Sequence, residues 1–166
     1  MISQQIETLY TEHHGWLHGL LRRKLGNTWD AADLAHDVYL RLLRRGQVPS
    51  VEDSRRHLTQ IANGLVIDLY RRRQIEAAYL DAVALVAASE APSPEARAQA
   101  IEALVEIDAV LQQLPAKVRT ALLLCRLDGL GYREIAERLQ VSVSSVEKYI
   151  AAGLLACHQG LNGSAR

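Results

Sequence analysis

Six histidines and two cysteines are the side chains of this 166-residue sequence best able to hold a metal or act as nucleophiles. Their spacing argues against both uses. His13-His14-x-x-x-His18 comes nearest to a metal site, with His14 and His18 on one helix face. No carboxylate or cysteine pattern completes it. Cys125 and Cys157 each sit inside an apolar helical pattern, where a cysteine behaves as a small buried residue. No nucleophile, base and orienting group recur at a workable spacing. The sequence therefore predicts no metal, no cofactor and no enzyme.

The remaining chemistry is ionic and hydrogen-bonding. Asp33 and Asp37 stand four residues apart, with Arg41 and Arg44 following on the same helical face. Such a face suits a charged partner surface, and it also fits a solvated helix stabilised by its own i,i+4 pairs. Arg71, Arg72 and Arg73 form a basic run behind an apolar helical stretch, which suits the phosphates of duplex or separated strands. Ser142, Ser144, Ser145, Glu147, Lys148 and Tyr149 cluster near the start of a late helix. Hydroxyls and helix N-terminal amides suit phosphates, and Lys148 suits a guanine edge.

Helices must position all of these groups. The hydrophobic fraction of 49%, with 10 Gly, 4 Pro and no Phe, favours an all-α chain with real cores. Apolar spacing predicts a first helix from Ile2 to about Lys24, stopped at Gly26-Asn27. Thr28 or Asp30 is expected to cap a second, with Leu34, Val38 and Leu42 in register, ended by Gly46 and Pro49. A third runs from Val51 to about Arg73 and contains Gly64, which implies either close packing or a kink. Pro92 and Pro94 then interrupt an Ala-rich stretch, so 78–97 is expected to be a linker, with room for a short helix near Tyr79–Ala87. The predicted domains are 1–77 and 98–166. In the second, helices are expected from about Glu95 to Leu114, from Pro115 to about Leu127, over Tyr132–Leu139, and from Val143 to about Cys157.

The last pair has helix-turn-helix spacing. Ala136 is small enough for two helices to cross closely, Val141 supplies an apolar turn residue, and Val146 or Ile150 locks the pair. The second helix would then offer its N-terminal face to a major groove. Charge tempers this expectation. Nineteen basic and nineteen acidic residues leave a net charge of zero. Phosphate neutralisation supplies much of the affinity of an autonomous duplex binder, so a neutral chain fits a protein carried to DNA by another molecule. The segment MISQQIETLYTEHHG has no basic start and apolar core of a secretory signal. No stretch reaches the ~18 apolar residues of a membrane span. A cytoplasmic protein without membrane insertion is expected.

Longer motifs narrow the expectation. LDGLGYREIAERLQVSVSSVEKYIAAGL resembles the second DNA-binding domain of bacterial sigma factors of the extracytoplasmic-function class. WDAADLAHDVYLRLLRR is similar to the helix by which these factors grip core RNA polymerase. On that resemblance Asp30, Asp33, Leu34, Asp37, Leu40, Arg41 and Arg44 are the polymerase-binding residues, with His36 where glutamine is common. HLTQIANGLVIDLYRRR resembles the helix that opens and reads the −10 promoter element. It assigns His57, Asn63, Asp68, Arg71, Arg72 and Arg73 to −10 DNA. His57 takes the place of a usual tryptophan, and Asn63 is shifted by one from its usual position.

The resemblance implies two helical domains on core RNA polymerase, one capturing a flipped −10 base and one reading the −35 element as duplex through Ser142, Ser144, Ser145, Glu147, Lys148 and Tyr149. Separating base-pair steps costs about 1.4 kcal/mol each, which fits a neutral chain that relies on polymerase contacts. The ending YREIAERLQVSVSSVEKYIAAGLLACHQ is similar to the iron-starvation group of the ferric-citrate type. That implies a membrane anti-sigma regulator as a further partner. The alternative from the residues is a helix-turn-helix repressor or activator that acts as an oligomer without polymerase.

Overall fold

Helical periodicity gathers the apolar residues of the first 74 positions onto three helices. The computed structural model describes residues 1–163 and divides the chain into two units, Met1–Gln74 and a second from Ile75 onward. Among the described residues there are seven α-helices, one 3-10 turn and no strand. The first unit contains α1 (Ile2–Leu25), α2 (Thr28–Arg45) and most of α3 (Ser54–Ala84). Its core takes Leu17 and Leu21 from α1, Val38 and Leu42 from α2, and Leu58 and Ala62 from α3, each fully or almost fully buried. Gly26 and Gly46 end α1 and α2 in left-handed conformations (φ 76° and 62°), where a side chain would be strained.

Several boundaries differ from those expected. Asn27, not Thr28 or Asp30, caps α2: its side-chain oxygen accepts from the Asp30 backbone N–H at 2.8 Å. Thr28 is already helical. The third helix does not stop near Arg73 but continues to Ala84, through part of the stretch expected to be linker. The sequence QIEAAYLDAVA contains neither Gly nor Pro, so nothing local ends the helix there. Gly64 marks neither close packing nor a break, since a Cβ built there meets nothing within 4 Å and α3 passes through it.

One buried polar group in this core is not satisfied by protein. The Tyr39 hydroxyl has no hydrogen-bond partner among the described residues. Its ring lies edge-on to Tyr10, with centroids 4.9 Å apart. Burial, with a smaller contribution from Tyr10, pushes the Tyr39 pKa up to about 12. The neutral form is therefore favoured in the folded state. Its stabilising effect is complete below the ordinary tyrosine value and is lost as pH rises from about 10 towards 12. Tyr39→Phe removes an unsatisfied hydroxyl at little change in shape. It is expected to leave the thermal melting point unchanged or raised at pH 7, and to remove part of the alkaline loss between pH 10 and 12.

The second unit contains the end of α3, then α4 (Pro94–Gln113), α5 (Ala116–Arg126), α6 (Tyr132–Leu139) and α7 (Val143–Gly163). Ser93 caps α4 by accepting from the Ala96 N–H at 3.1 Å, with Pro94 at the first helical position. Ala121, Ile135, Ala136, Val146 and Ile150 form a small core. Helix α7 runs past Cys157, where it was expected to end, to Gly163. Two glycines explain how it packs. A Cβ at Gly153 would lie 3.1 Å from Leu122 Cδ2, and one at Gly160 only 2.5 Å from Val110 Cγ2. Helix α7 thus packs tightly on both: an alanine at position 160 would force Val110 to shift, and one at position 153 would need Leu122 to give by a few tenths of an ångström.

Candidate nucleic-acid and polymerase interface

Helix α2 separates its two jobs by face. Ala31, Leu34, Ala35, Val38, Tyr39 and Leu42 point into the core. Asp33, Asp37 and Arg44 are exposed, while Asp30, Leu40 and Arg41 are half-buried. At 100° per residue, Asp30, Asp33, Asp37, Leu40, Arg41 and Arg44 fall on one outward stripe. Leu34 does not belong to it. It is 7% exposed and holds the helix to the core, a correction to its expected place on a contact surface. The stripe is acidic in its first half and basic in its second.

Asp30 already has partners. Its carboxylate accepts from the Asn27 amide at 2.6 Å and from the Arg73 guanidinium, also at 2.6 Å. The Asn27 bond first, and then Arg73, hold its carboxyl below the usual carboxylate range. The stabilisation is present above the ordinary aspartate pKa and is lost as pH falls below it. Two residues expected at different surfaces, polymerase and −10 DNA, are therefore bonded to each other. A second tie joins α3 to α1, as the Tyr70 hydroxyl donates to the Lys24 carbonyl at 3.2 Å.

Along α3 the expected −10 residues do not gather at one point. His57 lies at the helix start, in an open 260 Å³ cleft with Pro49, Ser50, Asp53, Arg56 and Gln60. Ser50 shapes this corner: its hydroxyl bonds the Asp53 carboxylate, and its carbonyl accepts from the Ser54 hydroxyl at 2.8 Å. Asp68, Arg71 and Arg73 are exposed further along, while Asn63 and Arg72 are half-buried. Helical spacing puts His57, Gly64, Asp68 and Arg71 on neighbouring outward positions. The cleft and the arginines are thus the two ends of one face, about 21 Å apart for His57 and Arg71 at 1.5 Å per residue.

In the second unit, α6 and α7 meet through a tight turn. Gln140 adopts φ 54° and ψ 48°, the left-handed region. Its N–H donates to the Glu137 carbonyl, and the Val141 N–H donates to the Ala136 carbonyl at 3.0 Å. These two bonds form a Schellman ending. The Ser142 hydroxyl accepts from the Ser145 N–H at 3.1 Å and caps α7. Ser142 and Ser145 hydroxyls are also paired with each other at 2.9 Å. Val146 and Ile150 are both buried, so both lock the pair. Ser144, Glu147 and Lys148 are exposed on the outward face, and Tyr149 is half-buried against the core. The same face continues to Ala151, also exposed, which no sequence signal selects because it is neither polar nor charged. An alanine there can touch a thymine methyl group.

Left-handed geometry costs a residue with a side chain roughly 1–2 kcal/mol relative to glycine's freedom there. Gln140→Gly is expected to stabilise the second unit by about 1 kcal/mol, offset in part by the larger chain entropy of an unfolded glycine. Chemical denaturation followed by helical circular dichroism reads this directly. A loss of stability would mean the Gln140 side chain itself holds the turn.

No group of three or more His, Cys, Asp or Glu among the described residues could hold a metal ion. No helix among them is long and apolar enough to cross a membrane.

Comparison with known proteins bears on both units. Residues 9–75 match the model of Sigma-70 region 2, and residues 104–157 match Sigma-70, region 4. The ferric citrate uptake sigma factor FecI of Escherichia coli (strain K12) is 44% identical over 93% of this chain and 90% of its own length. The ECF RNA polymerase sigma factor SigE of Mycolicibacterium smegmatis is 31% identical over 89% of the chain, which spans only 58% of that relative. The ECF RNA polymerase sigma factor SigW of Bacillus subtilis is 30% identical over 82% of the chain and 78% of its own length. The outward stripe of α2, the cleft and arginines of α3 and the helix-turn-helix of α6 and α7 lie inside the two matched regions. The chain belongs to the sigma-70 family, as an extracytoplasmic-function sigma factor that binds core RNA polymerase and promoter DNA.

Proposed function

We propose that this sigma factor serves iron-uptake promoters, with ferric citrate uptake as the model, under a membrane anti-sigma regulator. The observation that carries the proposal is the 44% identity to the ferric citrate uptake sigma factor across nearly all of both chains. The protein works in the cytoplasm, where polymerase meets DNA, and leaves catalysis to polymerase.

Each unit has its own task. The charged stripe of α2 binds the polymerase, with Asp33, Asp37, Arg41 and Arg44 as direct contacts. The cleft around His57 accepts a base turned out of the −10 element, and Arg71 and Arg73 hold the phosphates behind it. Helix α7 reads the −35 element through Ser144, Glu147, Lys148 and Ala151. Ser142 and Ser145 fix the helix start, whose amides face phosphate. The residues from the end of α3 to the start of α4 connect the −10 and −35 readers.

In-vitro transcription with purified core enzyme tests this. The chain is expected to produce new starts at the promoter of a ferric citrate uptake operon, and none without the chain. Free protein is expected to bind the same duplex weakly, as its neutral charge dictates. Tight operator binding by an oligomer of the free protein, with no new starts, would favour a repressor instead. Starts only at promoters of unrelated genes would leave the sigma activity standing and remove the iron assignment.

A further inference from the structure

Arg73 is assigned to −10 phosphates and Asp30 lies on the outward stripe of α2, yet the two are bonded to each other at 2.6 Å. The bond holds Arg73 away from the face it is to serve. At 100° per residue, Arg73 stands about 160° round α3 from both His57 and Arg71. Its flank is the one turned towards α1 and α2. Tyr70, one turn earlier on that flank, donates to the Lys24 carbonyl, and Val66 and Leu69 beside it pack on the first core.

The carboxylate that holds Arg73 is itself fixed. The Asp30 backbone N–H donates to the Asn27 side-chain oxygen at 2.8 Å. The Asn27 amide donates at 2.6 Å to the same Asp30 oxygen that Arg73 uses. Asn27 and then Arg73 keep the Asp30 carboxyl below the usual carboxylate range, so it is charged at neutral pH. The arginine is the looser partner: 48% of its side chain is exposed, against 23% for Asp30. An ion pair this open restrains its cation by no more than about fivefold. It biases a free chain, yet it exchanges when another charged partner arrives. A fully buried pair would resist exchange, because parting it strands a charge. While the pair lasts, Arg73 is neutralised, and a neutralised cation releases fewer counterions from a phosphate strand.

We propose that the Asp30–Arg73 pair withholds Arg73 from promoter DNA in the free chain, and that polymerase, engaging the outward stripe of α2, supplies a cation to Asp30 and frees Arg73 to swing to the phosphates beside Arg71. Asp30 is then a positioning residue that acts on DNA through Arg73. The stripe links the two events. Asp33 and Asp37 continue it from Asp30 as an acidic row, so a basic partner surface that meets them meets Asp30 as well. The coupling runs both ways: a −10 strand that captures Arg73 leaves Asp30 open and favours polymerase by the same factor. This inference rests on the assignment of Arg73 to −10 phosphates.

The test compares the full chain, free and as holoenzyme with core enzyme in excess, on a labelled single-stranded oligonucleotide carrying the −10 element of a promoter that supports specific starts. Asp30→Ala, Asp30→Asn, Arg73→Ala and the double variant Asp30→Ala/Arg73→Ala are titrated at several salt concentrations. Free Asp30→Ala is expected to bind about three- to fivefold more tightly than the parent. Its salt dependence should steepen by about 0.7, the share of one added phosphate contact on a single strand. Asp30→Asn, which keeps the size of the side chain at the helix start, should gain as well. Both gains should vanish when Arg73 is alanine. In holoenzyme the Asp30 variants should gain nothing, because Arg73 is already released there, while Arg73→Ala should bind about tenfold more weakly. Circular dichroism melts establish that each variant is folded at the assay temperature. A gain that persists in the double variant is a general charge effect and overturns the proposal. So does an equal gain in holoenzyme, since polymerase would then not release Arg73. Weaker binding by the free Asp30 variants would make Asp30 a support for Arg73 on DNA, and overturns it too. If Arg73→Ala leaves holoenzyme binding unchanged, the assignment of Arg73 to −10 DNA fails. If Arg73→Ala weakens it and the free Asp30 variants match the parent, only the withheld state fails.

Discussion

Lys148→Ala is expected to weaken −35 recognition by roughly 1–3 kcal/mol, a loss of about five- to 150-fold, if the ammonium bonds a base edge. The effect should fall on one base pair of the element, so that substituting that pair in the parent complex produces a similar loss. The structural reason is the placement of Lys148. It is exposed on the outward face of α7, between the capping serines and Ala151, with no ion pair among the described residues. Lys148→Glu should be worse, because it adds a second carboxylate beside Glu147 on a surface facing phosphate. A phosphate contact would give a different pattern. Binding would then weaken across all −35 sequences alike, and the salt dependence would become shallower by about one unit. Electrophoretic mobility of holoenzyme on a panel of −35 variants, at two salt concentrations, separates these outcomes. Unchanged binding in both variants would remove α7's outward face from the DNA.

Ile135→Ala carries the largest expected cost to stability. Ile135 is fully buried in α6, at the centre of a five-residue core shared with Ala121, Ala136, Val146 and Ile150. Removing its branched chain from a packed interior costs about 2–5 kcal/mol. A core this small has few other buried side chains to absorb the loss. Much of the stability of a small domain, on the order of 5 kcal/mol, would go with it. The helix-turn-helix should loosen, and promoters that depend on the −35 element should be lost at growth temperature. Polymerase binding through α2 should survive, because Asp33, Asp37 and Arg44 belong to the other unit. Proteolysis at low protease concentration, followed by mass spectrometry, would show cleavage confined to positions after about Ile75. Resistance equal to the parent would mean that the pocket around Ile135 collapses without cost.

Most of the helical plan was legible because apolar spacing and glycine stops are local signals. Leu34, Val38 and Leu42 announced the inner face of α2, and Gly26 and Gly46 announced the ends of α1 and α2. The cap of α2 was misplaced by one to three residues because Asn27, Thr28 and Asp30 are all good caps, and only geometry chooses among them. The length of α3 was missed for a related reason. A basic triplet resembles a helix end favoured by the macrodipole, yet nothing after Arg73 opposes the helix. The helix-turn-helix was legible down to Ala136, Val141 and Val146. Its left-handed Gln140 was not, since glutamine carries no signal for positive φ. Contacts between distant segments were beyond reach altogether. Asp30 with Arg73 and Tyr70 with Lys24 bridge more than forty residues, and no local pattern records them.

The division of α7 into two faces has an evolutionary side. Its inner face is committed, with Val146, Ile150 and Gly153 buried and Gly160 pressed on Val110. Ser144, Glu147, Lys148 and Ala151 carry none of that packing. Exchanging exposed residues of this kind shifts stability by only about 0.5 kcal/mol either way. On the proposed assignment of these four residues to the −35 element, promoter preference and folding are written in separate positions of the same helix. A lineage can drift towards a new −35 sequence through four sites without passing through an unfolded ancestor. The buried positions and the tightly packed glycines admit less freedom, so paralogues of this chain should diverge more on one side of α7 than on the other.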